Sequence, residues 1–381
     1  MADRFDAIVI GGGIAGAAAA FELAASRRVV LLEMEATCGR HSTGRSAALF
    51  TECYGDDVVR RLARAGRPFM TSPPSGFTES PILSPRPTVF IATEAQRPLI
   101  DAETEDFQRL VTEVFSIDGA ELTAMCPVLR GDTVVGGVVD PTSMDIDVHA
   151  LHAGFLAGAR NRGADIRTSA RVEAIQSGRA EWHVRIGRGD DVAAPVVVNA
   201  AGAWCDEVAR LASVGPLGLQ PKRRTVFTFD PGVDHGGWPM VVDIGDAFYF
   251  KPEGPHVLAS PADETPMEPH DVRHDELDVA LGIDRINAVT TLEIRHVKSA
   301  WAGLRSFVAD RRPVAGFDVE APGFFWLAGQ GGYGIKTAPA LGRATASLVA
   351  GGELPDDLVE LGLTAGNLSP ARLAGHTADS T

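Results

Sequence analysis

Three glycines at G-x-G-x-x-G spacing, Gly11, Gly13 and Gly16, separate an apolar run, DAIVI at 6–10, from the small helix-forming residues of 17–26. This spacing suits phosphate chemistry. Gly11 permits a tight turn, Gly13 lets a pyrophosphate approach the backbone, and Gly16 lets helix and strand pack closely. Ile14 and Ala15 then open a helix whose N-terminal N–H groups and dipole favour an anion. Glu33 ends the next apolar run, RVVLLE at 28–33. It lies where a carboxylate accepts hydrogen bonds from ribose hydroxyls and repels a phosphorylated ribose, which argues against NADP. The motif alone is weak. With strand, glycines, helix, second strand and terminal acid in order, it reads as a dinucleotide site rather than a bare glycine turn.

Three further stretches extend the pattern. The loop 39–48 holds Ser42, Thr43, Arg45 and Ser46 with two glycines and a second arginine. It suits donation to phosphate or to flavin heteroatoms, and equally suits a solvated turn. PVVVNAAGAW at 195–204 is a buried strand that breaks into small residues. GFFWLAGQGGYGIK at 323–336 is an aromatic strand that breaks into Gly329, Gly331, Gly332 and Gly334, with a helix expected from about Thr337. Two more glycine-bordered strand ends imply backbone brought close to a long ligand, which favours FAD over NAD.

Composition bounds the rest. The 381 residues are 45% hydrophobic with a net charge of −15. That is enough to bury a large core in two domains or one large α/β unit. The acidity disfavours nucleic acid and anionic lipid as partners. Cys38, Cys53, Cys126 and Cys205 form no C-x-x-C pair, so neither a zinc site nor a disulfide framework is expected, and no other metal site is indicated. No apolar run is long enough to span a bilayer, and MADRF runs straight into a strand. The expectation is a cytoplasmic protein, free or peripheral at the inner membrane.

At this point the chain resembles the D-amino-acid oxidase-like FAD oxidoreductases, and within them the bacterial D-arginine dehydrogenases. The resemblance rests on HSTGRSAA (41–48), SPPSGF (72–77), ILSPRP (82–87), VVNAAGAWCD (197–206), LGLQPKRR (217–224), WAGLRSFVAD (301–310) and QGGYGIKTA (330–338). It implies cofactor contacts at Ser42, Thr43, Arg45, Ser46 and Ala47, at Val172, and at Ala201, Gly202 and Trp204. Gly303 and the run Gly331, Gly332, Tyr333, Gly334, Ile335, Lys336 and Thr337 complete the set. Some members attach the flavin through a cysteine in the C-terminal half. No cysteine follows Cys205, so non-covalent FAD is expected.

The resemblance also implies the substrate residues. Arg305 matches a carboxylate-binding arginine, a role its planar fork suits, and Tyr249 a tyrosine that shares the carboxylate. Strand alternation lets only one of Arg223 and Arg224 face the site, and the resemblance selects Arg224. Tyr54, in FTECYGD, resembles a lid tyrosine and equally a packed loop aromatic. Gly332 matches a backbone contact to the substrate amine. Met240, Leu49 and Thr88 fall in the pocket. Thr88 stands where the D-arginine dehydrogenase pattern has a glutamate, and Leu49 where it has a histidine. Lys336 replaces a glutamine; it could touch flavin or a carboxylate, or be solvated.

These readings imply an α/β fold: a Rossmann-type FAD-binding domain from 1–80, 145–215 and 302–366, with a second, mainly antiparallel-sheet (α+β) substrate domain from 81–144 and 216–301. A loose tail is expected over 367–381. The implied reaction is oxidation of a D-amino acid with a neutral or hydrophobic side chain to an imino acid, then to a 2-oxo acid and ammonia. An external acceptor, quinone or oxygen, takes the electrons. The alternatives are oxidation of a secondary amino acid, as in glycine or sarcosine oxidases, or of a 2-hydroxy acid, and a flavin-binding subunit without turnover.

Overall fold

A computed structural model describes residues 2–187 and 189–374. Its centre is a six-stranded sheet in the order Asp165–Arg167, Val29–Leu32, Ala7–Ile10, Val196–Asn199, Phe324–Ala328, Val314–Phe317. The first five strands are parallel and the last is antiparallel. Every residue of Ala7–Ile10 and Val29–Leu32 is buried, because both faces of the sheet are covered. On one face lie the helices Ile14–Leu23, Val148–Asn161 and Gly334–Val349. On the other, a four-stranded sheet brings Trp182 and Val184 against Ile8, Ile10 and Trp326.

The helices Ile14–Leu23 and Gly334–Val349 touch backbone to backbone. A Cβ at Gly342 would come within 3.0 Å of the Ala18 carbonyl oxygen, so alanine and glycine in both helices permit the contact. The second of these helices begins at Gly334, three residues before the Thr337 expected from sequence. Lys336 therefore lies in its first turn.

The second sheet has nine strands. From one edge run Thr265–Pro266, Gln220–Phe229, His256–Ser260, Tyr249–Glu253, Met240–Asp243, Thr88–Thr93, Val134–Asp140 and Phe115–Asp118; Ser299–Phe307 pairs along Gln220–Phe229. All pairs are antiparallel except Met240–Asp243 with Thr88–Thr93. The period of two sorts its side chains. Phe227, Phe229, Val241 and Phe250 face the helix Glu276–Val289. Val226, Met240, Val242 and Tyr249 share the opposite, site-facing side. The alternating runs at 225–229 and 247–251 thus mark a sheet covered on both faces.

Two boundaries differ in detail from the sequence expectation. The boundary at 302 falls inside Ser299–Phe307, all of which pairs with the second sheet. The stretch read as a loose tail begins in packed structure: Leu368 and Leu373 are buried, and Arg372 Nε donates to Asp310 at 2.7 Å. Residues 375–381 lie outside the described residues. Among the described residues no helix is long and apolar enough to cross a membrane.

Candidate active site

The glycine loop has the geometry its spacing implies. Gly11 has φ +108°, and a Cβ there would lie 2.4 Å from the Ala200 carbonyl oxygen. A Cβ at Gly16 would lie 1.9 Å from the Gly11 carbonyl oxygen. Thr43 Oγ1 accepts the Ile14 N–H at 3.0 Å, and helix geometry leaves the next first-turn amides without intrahelical partners. Glu33 accepts from Gly12 N–H at 2.7 Å and from Glu35 N–H at 2.8 Å. Its carboxylate is thereby fixed, with lone pairs left for further donors.

A groove runs from this loop across the molecule. It is lined by Gly11, Gly13, Ile14, Ala15 and Glu33, then Ser42, Thr43, Arg45, Ser46, Ala47 and Val172. It continues past Ala201, Gly202 and Trp204 to Gly303, Gly331, Gly332, Gly334 and Ile335. Two loop side chains are spent on the protein rather than offered to a ligand. Ser42 Oγ donates to the Leu304 carbonyl at 2.6 Å. Arg45 donates to the Val272 and Ala302 carbonyls at 2.9 and 3.0 Å and pairs with Asp271. Both tie the loop to the second sheet.

Three residues expected at the cofactor lie off the groove. Thr337 is buried in its helix, donating to the Tyr333 carbonyl at 2.9 Å. Tyr333 and Lys336 instead line an adjoining chamber. The groove also holds two polar groups that sequence reading missed: Ser306 Oγ and Gln330 Nε2 are buried without a partner. Gln330 opens the glycine-rich loop that was singled out; Ser306 had no local signal.

The chamber, about 440 Å³, abuts the groove and is lined by Leu49, Tyr54, Thr88, Arg224, Met240, Tyr249, Arg305, Gly332, Tyr333 and Lys336. Strand alternation turns Arg223 away to Asp278, at 2.7 Å, and Arg224 inward. Arg224 Nε donates to the Asp263 carbonyl at 2.9 Å, and its Nη2 lies 3.4 Å from Glu264. Arg305 makes no side-chain hydrogen bond or ion pair among the described residues. Burial works against its charge, but Tyr249, Tyr54, Tyr333 and Glu264 together hold its pKa above the ordinary value. Arg224 is pushed down by burial and by Arg305. The Tyr249 hydroxyl is buried and unpartnered. Arg305 and Tyr249 thus border one space with no side-chain acceptor for either among the described residues, and the buried Tyr249 hydroxyl costs free energy until one arrives.

The remaining wall is less polar. Thr88 is fully buried and accepts from Ser143 Oγ at 2.8 Å. Met240, Leu49 and Val242 flank it. Lys336 is not solvated, as one sequence reading allowed: it is 4% exposed and reaches the main chain of Thr51 and Tyr54. Beyond Tyr54 and Tyr333 lies a second cavity of about 360 Å³ with Glu103, Asp246 and Arg311 in its wall. Arg311 and Asp246 border both cavities and were not singled out from sequence. Burial raises the pKa of Asp246 against the pull of Arg224 and Arg305.

Comparison with known proteins settles the family. A model described as "FAD dependent oxidoreductase" (DAO) matches residues 6–348. The chain belongs to the DAO family of FAD-dependent oxidoreductases. It is similar to dimethylglycine dehydrogenase of Mus musculus, 26% identical over 94% of this chain and 44% of that protein. It spans less than half the length of that relative. It is also similar to glycine oxidase of Geobacillus kaustophilus (strain HTA426), 27% identical over 96% of this chain and 98% of the other. In fold it matches L-proline dehydrogenase from P. horikoshii with a TM-score of 0.85 at 20% identity, covering 98% and 99% of the two chains. The family expectation holds. The narrower likeness to D-arginine dehydrogenases is not what these relatives carry: they include proteins named dimethylglycine dehydrogenase, sarcosine dehydrogenase and glycine oxidase.

As a DAO-family protein the chain binds FAD, and the groove fits that group. A Cβ at Gly11 or Gly16 would fill the cradle of the loop, the Glu33 carboxylate borders the groove beside Gly12, and Ser306 and Gln330 offer orphaned polar atoms along the far wall. None of the four cysteines lines it.

Proposed function

We propose that this chain oxidises the C–N bond of a small α-amino acid whose nitrogen carries an alkyl group, with N-methylglycine and N,N-dimethylglycine as the simplest members. The observation that carries the reading is the pair of unspent donors, the Arg305 guanidinium and the Tyr249 hydroxyl, on a chamber beside the FAD groove. A carboxylate satisfies both, bidentate on the guanidinium. The relatives named dimethylglycine dehydrogenase and glycine oxidase support the amine side of the reading. Leu49, Met240 and Val242 supply an apolar wall for N-alkyl carbon.

FAD, when bound, takes up the two electrons and the hydrogen that leave the substrate. The protein's part is orientation. Arg305, Tyr249 and Arg224 fix the carboxylate, and Gly332, lacking a side chain, lets the Arg305 guanidinium lie against its backbone, whose carbonyl is the contact read for the amine. The rings of Tyr54 and Tyr333, 5.4 Å apart, close the chamber toward the outer cavity and limit water. The carbon–hydrogen bond breaks as the nitrogen lone pair forms the C=N bond, and water then splits the imine into an amine and a carbonyl compound. No cysteine lies on the groove, so a thiol link to FAD has no place in this reading. The four unpaired thiols suit a reducing compartment such as the cytoplasm.

Product analysis tests the reaction. N-methylglycine should yield either glycine with formaldehyde, if the methyl carbon is oxidised, or methylamine with glyoxylate, if the α-carbon is. Ammonia and 2-oxo acids from neutral D-amino acids, with no turnover of N-alkyl substrates, would overturn the reading in favour of the second one. That second reading, a D-amino acid with a neutral side chain, draws support from the chamber's size and from the uncharged wall at Thr88, Met240 and Leu49.

A further inference from the structure

We propose that Lys336 is a positioning residue that holds Tyr54 over the chamber, acting as an ammonium on the main-chain carbonyls of Thr51 and Tyr54. The kinetic consequence rests on the reading of the chamber as the carboxylate site; the hold on the loop does not.

Lys336 lies in the first turn of the helix Gly334–Val349, whose start borders the FAD groove. Its Nζ donates to Thr51 O at 2.8 Å and to Tyr54 O at 2.6 Å. It also sits 5.7 Å and 5.5 Å from the ring centroids of Tyr54 and Tyr333. No carboxylate pairs with it among the described residues. A buried ammonium without a counter-ion is costly, and here two carbonyls and two ring faces offset the cost.

The other hydrogen bonds of this loop stop short of Tyr54, whose ring packs on Tyr333. Thr51 Oγ1 donates to Asp140 at 2.7 Å and accepts the Cys53 N–H at 3.0 Å. Glu52 accepts from Arg67 at 2.5 Å, and Asp56 caps the helix Asp57–Thr71 by accepting the Val59 N–H at 3.0 Å. Lys336 is what joins the Tyr54 backbone to the helix beside the cofactor.

The titratable groups facing the ammonium are Glu52, Cys53 and Tyr54 on the loop, Arg60 on the following helix, Asp140 on its strand, and Tyr333. Across the chamber stand Arg224, Arg305, Arg311, Asp246 and Glu264. Burial, aided by Arg60, lowers the Lys336 pKa to about 7 against Cys53, Glu52 and Asp140. The ammonium offers three charge-assisted donors and the neutral amine two weaker ones. The hold on Tyr54 therefore slackens as pH rises through that value.

Amide hydrogen exchange of residues 51–55 in the FAD-loaded protein tests this without any substrate. In the wild type, protection at 53–55 should fall above neutral pH beyond the intrinsic rise in exchange. In Lys336→Met it should already be roughly tenfold lower at pH 6, with no further step, while Lys336→Gln, which keeps a donor, recovers part of it. KM for the carboxylate substrate should rise roughly tenfold in Lys336→Met with kcat little changed. Wild-type protection in Lys336→Met would overturn the proposal; if that variant does not fold, wild-type protection with an unmoved pH step in Lys336→Gln would do the same. Lost protection with unchanged KM would support the hold on Tyr54 and overturn the chamber as the substrate site.

Discussion

Gly332 lies against the Arg305 guanidinium: a Cβ at position 332 would come within 2.7 Å of Nη1 and 2.9 Å of Cζ. The arginine carries no ion pair among the described residues to hold it elsewhere, so the bare backbone of Gly332 sets where its fork points. The glycine-rich loop thus borders both the cofactor groove and the chamber proposed for the substrate.

Gly332→Ala should displace the guanidinium while leaving the groove's other walls in place. Steady-state kinetics should show KM for the carboxylate substrate raised roughly tenfold or more, about the worth of one charged hydrogen bond. Flavin content measured from absorbance should stay close to that of the wild type.

Arg305→Lys keeps the charge and loses the planar fork. We expect kcat/KM to fall about 100-fold, and further in Arg305→Met, because the carboxylate loses its bidentate partner. Tyr249→Phe should cost about tenfold in kcat/KM without lowering Tm, since the hydroxyl removed is buried and unpartnered in the free protein. A clear drop in Tm would mean that this hydroxyl is satisfied within the fold.

Glu264 anchors the cationic side of the chamber, accepting from Lys222 at 3.0 Å and from Arg311 at 3.0 and 2.8 Å. Burial opposes its ionisation, yet Arg311 and Lys222 hold its pKa at about 2. A depressed carboxyl pKa contributes stability that is fully present above the unfolded value, about 4.3, and is lost as pH falls through the folded one. Thermal melts between pH 5 and pH 2 should therefore show a steeper loss for the wild type than for Glu264→Gln. Equal slopes would contradict the assignment.

What the sequence revealed follows from where information is local. The glycine loop and the strand–helix order are contiguous patterns whose spacing reflects one turn and one close contact, and both are present as read, with Glu33 following its strand beside the loop. Alternation left one of Arg223 and Arg224 to face the site, and the pleat turns Arg224 inward and Arg223 to Asp278. Arg311 and Asp246 were not legible, because each sits alone at a turn with positive φ and gains its place only when separate sheets meet. Lys336 was placed in the right loop, but its direction depended on a helix starting at Gly334 rather than near Thr337. The stretch 367–374 reads as polar and loose, yet Leu368 and Leu373 are buried and Arg372 bonds Asp310.

The central claim is that Arg305 and Tyr249 present a carboxylate-bearing amine to FAD. Anaerobic mixing of the purified FAD-loaded protein with N-methylglycine, N,N-dimethylglycine, neutral D-amino acids, L-amino acids and 2-hydroxy acids, followed by the visible flavin absorbance, tests it most directly. The account predicts bleaching by the N-alkyl amino acids, abolished in Arg305→Met with FAD still bound. Bleaching by 2-hydroxy acids alone, or bleaching that survives the loss of Arg305, would contradict it.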